Sequence, residues 1–416
     1  MNTARPPLKT LDAALAELLA QVLPLPELED LDTFEADGRV LARDLVSELN
    51  VPPRDNSAMD GYAVRCADVV AAGATLRVGQ RIPAGAVADQ PLVPGEAARI
   101  FTGAQLPPGA DAVVMQEDCV SLDDGRARVN VLPRPGQNVR RAGEDVRLGA
   151  TVLSRGTRLN PAALGLAASI GLDRLPVARR PRVALFSTGD ELVMPGTVAP
   201  AQLPPGAIYN SNRFFLRTLL QRLGCVVTDY GIVPDQREAT LNALRQAAEG
   251  HDLILSSGGV SVGEEDHVKP AVQTLGTLDL WQIAIKPGKP FAYGKLRTAR
   301  SQAHFIGLPG NPVSSYVTFL LLVRPFLLRL QGLPEQALAP VAVTLPAHFE
   351  WTRAEKRREF LRARRNAAGG VDLHPQQGSG VLNSVAWGDG LVDNPPERRI
   401  ARGDPVRFIA FSEFMV

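Results

Sequence analysis

Val183-Ala184-Leu185-Phe186-Ser187-Thr188-Gly189-Asp190-Glu191 decides the architecture, because an apolar strand runs straight into a polar, glycine-bearing turn. The same order of strand, turn and helix repeats after it. Residues 212 to 223 place Phe215, Leu216, Leu219, Leu220 and Leu223 on a helical face, stopped at Gly224, and Cys225 to Tyr230 is the next strand. Asp235-Gln236-Arg237-Glu238 has the form of a capping box, opening a helix with Leu241, Leu244 and Ala248 that closes at Gly250. Leu253-Ile254-Leu255 is a third strand, Phe305-Ile306 a later one, and a helix follows from Val313. Alternating β and α elements predict a largely parallel, doubly wound sheet over residues 180–330. Ligands of such sheets gather beyond the carboxyl ends of the strands.

On either side the pattern changes, so the chain reads as multidomain α/β plus β. Leu11, Leu15, Leu18, Leu19 and Val22 predict an amphipathic helix over residues 10–23, and Asn160-Pro161 opens a second one that stops near Gly171. Between them, residues 52–144 alternate short apolar runs such as Ala112-Val113-Val114-Met115 with Pro-Gly turns, which predicts a β module inserted between the helices of another domain. After Gly332-Leu333-Pro334 helical periodicity gives way to short strands, so residues 336–416 predict a small β-barrel or sandwich. The apolar run from Val317 to Val323 ends at Arg324-Pro325, short of the ~20 residues of a spanning helix, and reads as a buried core helix.

With 416 residues and 45% hydrophobic content the chain can fill several cores. Its 45 basic and 44 acidic residues leave a net charge of +1, which excludes global electrostatic attraction to nucleic acid and makes any anion site local. Cys66, Cys119 and Cys225 are odd in number and form no CxxC pair, which argues against a disulfide framework and suits a reducing cytoplasm. Asp12 and Glu17 interrupt the N-terminal leucines, so no secretory signal is read there. The five histidines have no zinc-ligand spacing.

The chemistry sits on the turns. Glu191 follows a core strand, where its carboxylate suits a hard cation or, alternatively, the first turn of a helix. Ser256-Ser257-Gly258-Gly259-Val260-Ser261 offers backbone N–H groups and hydroxyls to an anion or a pterin, and Glu264-Glu265-Asp266 follow at once. Lys286-Pro287-Gly288-Lys289-Pro290 pre-positions two ammonium groups on a stiff loop, and Pro309-Gly310-Asn311-Pro312 is another rigid loop, with Asn311 also read as a helix cap. In the β module, Asp55-Asn56-Ser57 and Asp60-Gly61 hold two carboxylates on a tight turn; Thr102 is either ligand or cap, and Asp145 either a site acid or a partner of Arg140. Residues 353–365 contain seven basic residues, among them Arg358, Arg362 and Arg364, and Gln377-Gly378-Ser379-Gly380 adds donors.

These segments, in this order and over the whole chain, resemble the molybdopterin molybdotransferases, the MoeA and gephyrin E-domain family. The resemblance implies an elongated homodimer of four domains: a discontinuous helical and linker domain (1–51 with 145–179), the β module (52–144), a molybdopterin-binding α/β domain (180–330) and a β-barrel (336–416). It implies a transferase that takes adenylylated molybdopterin and molybdate to molybdenum cofactor and AMP, assisted by Mg²⁺ or another divalent metal. By the same likeness Glu191, Asp235 and Asp266 hold the metal, and Asp60, Thr102 and Asp145 complete the catalytic group, with capping as the rival role for Asp235. Ser257, Gly258, Gly259, Ser261, Pro309 and Asn311 would bind the pterin substrate, and Lys286, Lys289, Arg362 and Ser379 the molybdate, with Arg358 an alternative to Arg362. The resemblance further implies a cytoplasmic protein that contacts the adenylyltransferase and apo-molybdoenzymes, without nucleic-acid or membrane partners. Two other readings remain at this point, the adenylyltransferase itself and a non-catalytic scaffold.

Overall fold

The computed structural model describes residues 8–259, 267–298 and 301–415. The chain divides into two compact units, one formed by residues 1–29, 38–42 and 177–416 and the other by 30–37 and 43–176. This is coarser than the four expected domains. Helix α1 (Leu11–Ala20), capped by Thr10, belongs to the first unit, where Leu11, Ala14 and Leu18 join the same core as the α/β sheet.

The second unit is built on a six-stranded sheet of β1 (Gly61–Val64), β2 (Ala74–Ile82), β3 (Glu96–Ile100), β4 (Ala112–Met115), β5 (Cys119–Ser121) and β6 (Arg126–Val129), ordered β4-β1-β3-β2-β6-β5. Successive side chains of β1 point to opposite faces, so Tyr62 and Val64 enter one core and Ala63 another. Helix α2 (Pro161–Ser169) begins as expected, with Asn160 accepting from the Ala163 N–H at 2.8 Å.

The α/β sheet of the first unit runs β8 (Val226–Val233), β7 (Arg182–Thr188), β9 (Leu253–Ser257), β12 (Gln302–Leu308), β11 (Pro290–Arg297), β10 (Gly276–Gln282). The first four strands are parallel, as expected; β11 and β10 add an antiparallel edge, because a short loop rather than a helical crossover joins them. Both faces are covered. Val183 and Leu185 pack with α3 (Asn212–Arg222) and the helix from Pro312, whereas Ala184 and Phe186 pack with α4 (Arg237–Gly250) and α5 (Val268–Leu275).

The helix from Pro312 does not stop at Arg324-Pro325. It continues through a π-helical turn, Phe319–Val323, to Leu330, and 89% of its most apolar window is buried. The widened turn accommodates a proline that has no N–H to donate. Arg324, only 3% exposed, donates to the carbonyls of Phe414, Leu338 and Glu413, tying the helix to Leu338 in the segment that leads into the C-terminal strands and to the final turn, Phe411–Phe414, that follows them.

Those strands are β13 (Val343–Pro346), β14 (Arg358–Arg365), β15 (Val371–Leu373), β16 (Gly390–Asn394) and β17 (Pro405–Ala410), paired in the order β15-β14-β16-β17-β13. A bridge from Ala347 to Val371 joins the two ends, closing a small barrel around Leu361, Val371, Val392, Val406 and Phe408. The two-residue strand Ile285–Lys286 pairs outside it with Arg358 and Glu359.

Candidate active site

Register aligns the carboxyl ends of three parallel strands: Ser187 lies beside Ser257, and Ser257 beside Leu308. The turns that follow therefore converge. They border a cleft of ≈ 550 Å³ lined by Glu191, Asp235, Ser257, Gly258, Gly259, Pro309 and Asn311 from the expected set, together with Thr188, Asn210, Asn212 and Pro290. Gly258 and Gly259 have φ of 94° and 67°. A methyl group on Gly258 would stand 2.7 Å from the Thr188 carbonyl oxygen, so the backbone here can be this close and this bent only without a side chain.

The expected capping roles do not form. The helix at Arg237 starts from Gln236 with no side-chain cap, because Asp235 turns to the cleft, and Asn311 likewise makes no capping bond. Glu191 is exposed and folds over Gly189, and among the described residues neither it nor Asp235 has an ion-pair partner. An all-oxygen donor set of this kind fits a hard divalent cation. Among the described residues no three acids or histidines cluster as a ready metal site; Asp266, the third expected ligand, and Ser261 lie outside them.

Asn210 and Asn212 escaped the sequence reading, which took the start of α3 only as a helix boundary. Both are buried, at 1% and 7% exposure. Asn212 Nδ2 donates to Ser257 Oγ at 2.8 Å and to the Gly310 carbonyl at 2.7 Å, which fixes its amide orientation and leaves Oδ1 without a donor. Asn210 Oδ1 accepts from the Arg213 N–H at 3.2 Å, leaving Nδ2 without an acceptor. The cleft wall thus contains one orphan acceptor and one orphan donor, each costing about 1–3 kcal/mol while unmet. Three short polar residues in a row, Asn210-Ser211-Asn212, were the available signal.

A second hollow of ≈ 450 Å³ is lined by Lys286, Pro287, Glu359, Arg362, Gln377 and Gly378, among others. Arg362 is 1% exposed, and among the described residues its guanidinium donates only to neutral acceptors, Ser384 Oγ and the carbonyls of Phe360 and Gly378. Burial pulls its guanidinium down to about 10, still charged at neutral pH. Arg358, by contrast, is neutralised by two 2.7 Å bonds to Asp393 and a third contact with Asp12. Lys289 is half-buried on the loop whose end, Pro290, borders the first cleft, and Ser379 follows Gly378 and accepts from the Val313 N–H.

In the other unit, Asp60 Oδ1 accepts from the Thr102 N–H and hydroxyl, both at 2.7 Å. The Thr102 N–H, then its hydroxyl, hold the Asp60 carboxyl below its ordinary value, with Arg99 adding a nearby positive charge. Asp55 accepts from the Ala142 N–H at 2.8 Å and from Arg141 at 2.6 Å, and these lower its pKa too. Asp145 is exposed on a separate hollow of ≈ 340 Å³ with Glu144 and Thr151, and is not paired with Arg140.

Three family models match the chain in succession: "MoeA N-terminal region (domain I and II)" over residues 9–171, "Probable molybdopterin binding domain" over 184–329 and "MoeA C-terminal region (domain IV)" over 344–411. The molybdopterin molybdenumtransferase of Haemophilus influenzae is 40% identical, covering 98% of this chain and 99% of that protein. The chain belongs to the MoeA family. Its relatives include molybdopterin molybdenumtransferase 2 of Mycobacterium tuberculosis, 38% identical over 87% of this chain and 90% of that one. Among solved structures, the molybdopterin biosynthesis MoeA protein of Pyrococcus horikoshii matches with a TM-score of 0.83 and 28% identity, covering 97% of this chain and all (100%) of that one. A MoeA match over all three regions favours the transferase over the single-domain adenylyltransferase and the scaffold.

Proposed function

We propose that this chain is a molybdopterin molybdotransferase that takes adenylylated molybdopterin and molybdate to molybdenum cofactor and AMP. The observation that carries the proposal is the glycine cradle at Gly258-Gly259 in one cleft with two carboxylates, Glu191 and Asp235, that have no ion-pair partner among the described residues. The Gly258 N–H is already bonded to the Leu308 carbonyl, so it is the side-chain-free backbone at Gly258-Gly259 that lets the phosphoanhydride come close, and the asparagine and serine groups suit the polar edges of a pterin. Glu191 and Asp235, with Asp266, would hold a divalent cation, which when bound neutralises charge on the phosphoanhydride. Asp60, kept ionised by Thr102, orients or deprotonates the attacking oxygen, with Asp145 as an auxiliary acid. The Lys286–Arg362 hollow receives molybdate, and Lys289 and Ser379 are assigned to the same oxyanion. Ser257, Gly258, Gly259, Ser261, Pro309 and Asn311 hold the pterin side of the substrate.

The finer assignments belong to the same proposal: a homodimer, a cytoplasmic site of action, the four-domain division given above, and handover contacts with the adenylyltransferase and apo-molybdoenzymes. The test incubates the full chain with adenylylated molybdopterin, molybdate and Mg²⁺, and follows AMP release together with reconstitution of an apo-molybdoenzyme. Molybdate-dependent AMP release is expected. Release no faster than in a protein-free control overturns the proposal.

A further inference from the structure

Lys286 Nζ lies 3.3 Å from Glu355 Oε2 and 3.3 Å from Glu359 Oε1. One ammonium between two carboxylates carries the wrong sign for an incoming dianion, yet it lines the hollow that holds the otherwise uncompensated Arg362. The two carboxylates are not equivalent. Glu359 stands on β14 with its side chain 1% exposed, and its other oxygen accepts from Trp351 Nε1 at 2.7 Å and Asn394 Nδ2 at 3.3 Å. A carboxylate buried this far is costly without its cation, so it anchors the lysine. Glu355 stands on the loop before β14, its side chain 26% exposed, and its other oxygen accepts from Arg357 Nε at 3.2 Å. Glu355 can therefore release Lys286 and keep a positive partner.

We propose that Glu355 is a built-in counter-ion, occupying Lys286 until a tetrahedral oxyanion displaces it, while Glu359 is the positioning residue that keeps the ammonium at the hollow. This inference rests on reading the Lys286–Arg362 hollow as the oxyanion site. With Glu355 withdrawn to Arg357, the charges lining the hollow, Lys286, Arg353 and Arg362 against Glu350 and Glu359, sum to +1, which favours an anion. Glu355 thus sets a threshold: weak or singly charged anions do not dislodge it, and a dianion does.

The experiment measures equilibrium binding of molybdate alone to the full chain by calorimetry at low ionic strength. Glu355→Gln is expected to bind molybdate roughly threefold to tenfold more tightly, a gain that shrinks in about 0.5 M salt. Glu359→Gln is expected to bind roughly tenfold more weakly, with partial recovery in Glu359→Asp. Lys286→Gln should weaken binding, and combining it with Glu355→Gln should abolish the gain. If Lys286→Gln weakens binding but Glu355→Gln leaves it unchanged or weaker, the counter-ion role is overturned while the oxyanion site stands. If neither Lys286→Gln nor Arg362→Lys alters molybdate binding, the oxyanion site itself is overturned and the counter-ion with it. A purely structural Glu355 would lower thermal stability on replacement without tightening the anion.

Discussion

The two hollows of the first unit are lined by different kinds of group. The cleft at the strand ends is walled by backbone groups, hydroxyls and asparagine amides, with two carboxylates that are unpaired among the described residues, whereas the Lys286–Arg362 hollow has formal charges of both signs in its wall, Lys286 between Glu355 and Glu359. Neutral groups of fixed orientation read a pattern of donors and acceptors; charges read sign and number and tolerate many shapes. The first arrangement suits a heterocycle with a phosphoanhydride tail, the second a compact oxyanion.

The difference can be broken at either hollow. The largest effect is expected from Asp235→Asn or Glu191→Gln, which should slow AMP release by about a hundredfold or more while molybdate affinity stays unchanged. Loss of molybdate binding in these variants would mean that the hollows do not work separately. Arg362→Gln should weaken molybdate by roughly tenfold to a hundredfold without altering pterin binding, as measured by calorimetry on each ligand. Asn210→Asp keeps the acceptor that Arg213 uses but turns the orphan donor into an acceptor. It should cost roughly tenfold in affinity for a reduced pterin and also lower the unfolding temperature, because it buries a carboxylate at a position 1% exposed. Raising ionic strength should weaken molybdate severalfold and the pterin little, because screening acts on charges.

The smallest effect concerns the other unit. Asp55→Asn should cost about 1 kcal/mol of stability, measured by denaturant unfolding, through loss of its ion pair with Arg141 while the amide oxygen can still accept from the Ala142 N–H. Because the folded pKa of Asp55 is depressed, its contribution is full above the ordinary carboxylate value and fades as pH falls through the lower, folded one. The variant should therefore lose less stability than the parent on acidification.

Much of this was legible from residue order alone. Short apolar runs ending in Ser-Thr-Gly or Ser-Ser-Gly-Gly identify parallel strands and place their turns at one edge, and strand register then brings Glu191, Ser257 and Pro309 to the same cleft. What escaped depended on contacts that local patterns do not encode. Asp235 has the spacing of a cap, but no cap forms, and Asn210 and Asn212 show their unmet atoms only once Arg213, Ser257 and Gly310 are placed around them. Arg358 and Arg362 look alike in sequence; Asp393 on β16 neutralises the first, and among the described residues no carboxylate pairs with the second. Helix periodicity likewise gave no warning that the chain would pass Pro325 still helical, because it does not reveal a π-helical turn that accommodates the proline.

The loop from Lys286 to Pro290 has Lys286 and Pro287 on one hollow and Pro290 on the other. It is a party wall. Two rooms that share such a wall cannot be resized independently, so a variant chain adapted to a bulkier oxyanion would also reshape the room next door. Relaxed anion selectivity and unaltered heterocycle fit should then be hard to obtain by substitutions in this loop, and easier to reach from the barrel side of the charged room.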